Sequence, residues 1–227
     1  SVTIHAMRNN NYLVILIIAI IILGGGFFIS RQQKTGIKNN ANTVKPQEIV
    51  TLKSGDTYNV TAGFVKKSMN GQELKMLAYN GSIPGPLIKV SQGAEITLKF
   101  TNNTDIDSTI HSHGVRVENK FDGVPNVTQD PVKPGGSFSY KLTFPDAGVY
   151  WYHPHIREDY TQELGLYGNF LVSPTQKDYW AEVDREEALF LDDILIQNGQ
   201  PAKFDTSVVN HTLMGRFGNT WLLNGDE

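Results

Sequence analysis

The chain has 227 residues, 40% of them hydrophobic, with 20 Lys and Arg against 23 Asp and Glu for a formal net charge of −3. That length can bury a core, and the charge balance offers no basic field for nucleic acid. There is no cysteine, which excludes disulfides, thiolate zinc sites, a cysteine nucleophile and a blue-copper site within this chain, because that site needs a Cys sulfur.

The first element is apolar. Tyr12 to Ile29 (YLVILIIAIIILGGGFFI) runs without a charge, just long enough to cross a bilayer, although Gly24, Gly25 and Gly26 weaken its helical end. Arg8 precedes it and Arg31, Lys34 and Lys38 follow it. Residues 1–30 are expected to be a hydrophobic helix serving as a transmembrane anchor or a signal segment, with the rest of the chain exported. No good small-x-small cleavage pattern follows it. Residues 31–47 (RQQKTGIKNNANTVKPQ) are polar and irregular, the composition of a flexible linker.

Strand patterns take over next. Ile96, Leu98 and Phe100 alternate with Thr97, Lys99 and Thr101, and Phe138, Tyr140, Leu142 and Phe144 alternate with Ser139, Lys141 and Thr143. A period of two marks half-buried strands. Asn70-Gly71 reads as a hairpin turn, and further turn signals fall at Ser54-Gly55-Asp56, Ile83-Pro84-Gly85-Pro86, Pro134-Gly135-Gly136 and Asp146-Ala147-Gly148. Short strands at such spacing predict an all-β domain over residues 48–175, a Greek-key β-sandwich. Ala188-Leu189-Phe190-Leu191 opens another apolar strand, and MGRFGNTWLLNG (214–225) reads as loop, strand and turn. Residues 186–227 are too few for a second sandwich, so they are expected to be its incomplete start, in a chain that reads as part of a longer one.

The chemistry lies in the histidines. Of six, four form two pairs, His111-Ser112-His113 and His153-Pro154-His155. On a strand, residues i and i+2 share a face, so each pair presents two imidazoles side by side. Four neutral imidazoles suit copper, zinc or nickel. A single such pair occurs readily by chance on a surface strand; two in one predicted sandwich make a metal site the better reading. Gly114 permits close approach after the first pair, and Pro154 removes a ladder donor, which places the second pair at an edge or rim. His5 and His211 read as solvated.

At these residues the sequence resembles a known family. Thr109-Ile110-His111-Ser112-His113-Gly114, Asp122-Gly123-Val124-Pro125, Trp151-Tyr152-His153-Pro154-His155 and Gly165-Leu166-Tyr167-Gly168 are similar, in order and spacing, to the first cupredoxin domain of the multicopper oxidases. This family includes laccases, copper-efflux oxidases and ferroxidases. Asn80 to Pro86 resembles the loop upstream in that domain, and the tail from Met214 resembles the opening of the second.

The resemblance implies a copper cofactor and oxidase function. His111 would bind the type 2 copper, while His113, His153 and His155 would bind the type 3 pair. Electrons from a reducing substrate would be passed to dioxygen, giving water. Asp122 matches the acid that supports proton delivery; as a residue type before Gly123 it also suits a plain turn. Ser112 departs from the bulky aromatic common between the two histidines, and it points away from the metal face. Glu158 and Asp159 read as solvated charge rather than as partners of the ligands. The remaining ligands, and the Cys-bound blue copper, would come from a C-terminal cupredoxin domain of the same or another chain. A non-catalytic copper-binding cupredoxin-like module is the rival reading.

Overall fold

The alternating patterns build the strands they predict. A computed structural model describes residues 41–203 and 215–227. The expected N-terminal hydrophobic helix, His5 and His211 lie outside those residues. Among the described residues no helix is long and apolar enough to cross a membrane.

In chain order the strands are β1 (Asn42–Thr43), β2 (Ile49–Thr51), β3 (Thr57–Met69), β4 (Gln72–Tyr79), β5 (Leu87–Ser91), β6 (Glu95–Asn102), β7 (His111–Ser112), β8 (Ser137–Thr143), β9 (Gly148–His153), β10 (Gly168–Ser173), β11 (Leu191–Ile194), β12 (Ile196–Gln197), β13 (Gln200–Pro201) and β14 (Thr220–Leu223). A single helical turn, Glu158–Thr161, follows the second histidine pair. One five-stranded sheet has the order β1-β3-β6-β8 with β4 on β3, and the other is β2-β5-β10-β9-β7. From β4 to β9 successive strands change sheet, which makes a sandwich rather than a meander.

The hairpin at Asn70-Gly71 joins β3 to β4, with φ of 50° and 71° at the two turn residues. Positive φ at both central residues is what a tight two-residue hairpin requires. Inward residues of the two sheets meet in one core: Leu98, Phe100, Tyr140 and Leu142 from one side, Ile88, Val90, Tyr152, Phe170 and Val172 from the other. Each such side chain contributes about 1.5–3 kcal/mol when fully buried. Asn42–Thr43, within the stretch read as a linker, pairs in parallel with β3. At the far end of the chain β11 pairs with β14, sending Ile194 and Leu222 into the same apolar cluster.

A buried polar knot anchors the approach to the first histidine pair. Asn102, fully buried at the end of β6, donates to the carbonyls of Ile106 and Val132 at 2.8 Å each, and its Oδ1 accepts from the Thr104 amide and hydroxyl. A fully satisfied buried amide fixes its surroundings. Here it fixes the loop that leads into β7.

Candidate metal centre

β7 and β9 pair antiparallel with His111 opposite His153 and Ser112 opposite Tyr152. The His113 amide donates to the Trp151 carbonyl at 2.9 Å, which continues the register. Directly opposed residues share a sheet face, so His111, His113, His153 and Trp151 stand on one face while Ser112 and Tyr152 stand on the other. Tyr152 fills the core, so the histidine face is the outer one. Strand β9 stops at His153, before Pro154, and β7 is the edge strand of its sheet. His155 reaches back from beyond the strand end.

The rings converge. Centroids are 4.8 Å apart for His111 and His113, 4.5 Å for His111 and His155, 5.8 Å for His111 and His153, and 5.1 Å for both His113–His153 and His153–His155. The two sequence motifs thus meet in one small volume.

Hydrogen bonds fix the tautomers. Nδ1 of His111 lies 2.6 Å from the Asp122 carbonyl and Nδ1 of His153 lies 2.8 Å from the Pro154 carbonyl. A carbonyl only accepts, so both nitrogens carry the proton and both Nε2 atoms keep a lone pair. Nδ1 of His155 meets the Glu158 carboxylate at 2.7 Å, with the same result. That contact corrects the reading of Glu158 as solvated charge: from the first position of the helical turn at 158–161, after the left-handed Arg157, its carboxylate reaches back to the histidine. Asp159 instead pairs with Arg157 at the surface. His113 and His153 meet Nε2 to Nε2 at 3.0 Å. With the His153 proton on Nδ1, His113 is the donor and its own lone pair sits on Nδ1.

Two of the four rings are held toward the neutral form. Burial first, then repulsion from His155, pushes His153 from 6.5 down to about 4. Partial burial of the His113 ring, then His111 and His155, pushes His113 below its usual value. Neutral imidazole is the metal-binding form. Carbonyl or carboxylate bonds to the far ring nitrogen are what orient ligating histidines. On both counts the donor set fits copper. Among the described residues no three His, Asp or Glu side chains gather their donor atoms as for one ion, so the four rings are a cluster rather than a single closed cage.

Side chains outside the two histidine motifs hold the cluster in place. The Tyr140 hydroxyl accepts from the Ile110 amide at 2.9 Å, pinning the residue before His111. Buried Thr109 accepts from the His155 amide at 3.3 Å, tying one histidine loop to the other. Gly123, with φ of 79°, packs so closely that a Cβ there would lie 2.0 Å from the Ile110 carbonyl oxygen. This close approach is what lets the Asp122 carbonyl reach His111. The Asp122 carboxylate stands off at 3.5 Å from the same Nδ1. A Cβ on Gly114 would fall 1.9 Å from the Tyr150 ring. Apart from the glycine at 114 and the nearness of Asp122, which the family resemblance implied, none of these contacts is visible from the sequence, because each joins residues far apart along the chain.

Comparison with known proteins adds an independent line. A family model described as multicopper oxidase matches residues 59–177. Copper resistance protein A of Pseudomonas syringae pv. tomato is 28% identical over 144 residues, covering 63% of this chain and 23% of that protein. The multicopper oxidase MmcO of Mycobacterium tuberculosis is 34% identical over 138 residues, covering 60% of this chain and 26% of that protein. Among solved structures, a multi-copper oxidase from Pseudomonas thermotolerans superposes with a TM-score of 0.69 at 29% identity, covering 79% of this chain and 42% of that one. The chain spans about a quarter of the length of these curated relatives.

Proposed function

Because this chain belongs to the multicopper oxidase family, we propose that it provides four imidazoles of a copper centre that reduces dioxygen at the expense of a reducing substrate. The observation that carries this is the convergence of two His-x-His pairs on the outer face of one sheet edge, with three Nδ1 atoms engaged, so that the Nε2 lone pairs of His111, His153 and His155 face the cluster, the one on His153 meeting His113 until a metal takes that proton's place. By family likeness His111 serves a type 2 copper, and His113, His153 and His155 serve a type 3 pair. Copper bound there would supply one-electron redox chemistry that imidazoles lack.

The chain's own residues do the holding. The Asp122 carbonyl, the Pro154 carbonyl and Glu158 aim the rings, and the Asp122 carboxylate stands where it can hold a proton beside His111. The spread of the rings suits more than one ion, each completed by donors from elsewhere. With no cysteine in this chain, the thiolate copper that accepts substrate electrons belongs to a C-terminal cupredoxin domain of the same or another chain. Residues 48–175 act as the first cupredoxin domain and 186–227 as the opening of a second. Residues 1–30 act as an anchor or leader that places the site outside the cytoplasm, and 31–47 as the tether.

The test is Cu(II) titration of the 227-residue protein and of a His113→Ala, His153→Ala double variant, followed by electron paramagnetic resonance. The double variant is expected to bind at least one copper fewer. Equal stoichiometry would remove the site. The absence of cysteine also permits a second reading, a copper-binding module without catalysis. Oxygen uptake by this chain together with a cysteine-containing cupredoxin partner separates the two.

A further inference from the structure

We infer that Trp151 is a positioning residue for this site: its indole is a floor on which His113 and His153 lie side by side. The inference rests on the proposed copper centre and extends it to a residue that binds no metal. The Trp151 ring is nearly parallel to His113 (4.7 Å, 17°) and to His153 (4.1 Å, 14°), and the two imidazoles are nearly parallel to each other (5.1 Å, 19°). Were the indole sandwiched between them, two layer spacings of about 3.5 Å would hold the imidazoles about 7 Å apart. They are closer than that. Both imidazoles therefore rest on the same indole face, which accounts for their edge-to-edge contact, Nε2 to Nε2, at 3.0 Å.

The register explains why the indole stands there. Four positions of the β7–β9 pair share the outer face, and three are imidazoles. Trp151 takes the fourth corner, opposite His113 and two residues before His153. Its neighbour Tyr152 is the residue that enters the core, so core packing does not demand an indole at 151. The floor is itself braced. Phe190 packs against it at 6.4 Å and stacks on Tyr167 at 4.3 Å, and the Phe190 amide is held by the Asn224 side chain at 2.8 Å. An imidazole free to turn about χ2 can present either nitrogen; a ring lying flat on a fixed indole keeps its plane and its lateral position.

Two measurements on the 227-residue protein test this. In metal-free protein, the ring protons of His113 and His153 should resonate upfield of those of His111 and His155, since only the first pair lies over the indole. Absence of that difference would overturn the floor. In Cu(II) titrations, Trp151→Leu should weaken binding on the order of tenfold, as loss of an orienting partner does, and should change the copper hyperfine pattern. Trp151→Phe, which keeps an aromatic face, should restore most of both. Wild-type affinity and hyperfine pattern in the leucine variant would sink the inference. If that variant fails to fold, the phenylalanine variant decides by whether the upfield shifts of both histidines shrink together. Failure of wild-type protein to take up copper would instead remove the proposed function.

Discussion

At His153 protonation and folding are coupled. The folded ring, 3% exposed, resists protonation down to about 4, whereas an unfolded histidine titrates near 6.5. Between those values the unfolded chain holds more protons, so stability rises with pH across that window. The contribution is complete above pH 6.5 and is lost as pH falls toward 4. For a ring this buried it amounts to roughly 3 kcal/mol, and the lowered His113 adds in the same direction. Denaturant midpoints of metal-free protein between pH 7 and pH 4 should therefore fall more steeply for wild type than for His153→Gln. Parallel curves would show that the ring does not titrate with folding. Glu158 belongs to the same scale. Its carboxylate on Nδ1 fixes the orientation of the His155 ring, a contact between near neighbours in sequence.

The β7–β9 pair is the element that converts two motifs into a site. Gly123 underlies it, since its left-handed backbone and its contact with Ile110 bring the turn at 119–123 against His111. Gly123→Ala is expected to cost roughly 2–3 kcal/mol, combining an unfavourable φ with a clash against main chain, and to weaken copper binding as the Asp122 carbonyl is pushed off His111. Gly135→Ala is the control. It has φ of 82° but open space around it, so it should lose only the backbone part, about 1 kcal/mol, and keep its copper. Equal thermal shifts in the two variants would contradict the packing argument. Local signals were readable at this level: alternation located β6 and β8, and Asn70-Gly71 located the hairpin. Register was not, since whether His111 opposes His153 depends on the Asn102 knot, the Tyr140 hydroxyl and Thr109, all contacts across long sequence separations.

For the whole molecule, metal and fold are linked by mass action. Copper that binds only the native state, present at 100 times its dissociation constant, adds about 2.7 kcal/mol. Melting temperature should rise with Cu(II) and return on chelation, while the chain alone, having no cysteine, should show no oxygen uptake with phenols or Cu(I). A melting point indifferent to copper, or brisk uptake by the chain alone, would contradict this picture. The sandwich and the existence of the two histidine pairs were legible in the sequence because composition and period-two patterning are local. The indole floor and the polar ties were not, because nothing local distinguishes a tryptophan that supports a ligand from one that fills a core. The edge position of β7 has a last consequence. Two residue pairs and the His113 amide join it to β9, and on its other side it meets the turn at 119–123. A metal shared by the four rings would therefore act as a clasp on this short pair, and its removal is expected to loosen β7 before the rest of the sheet.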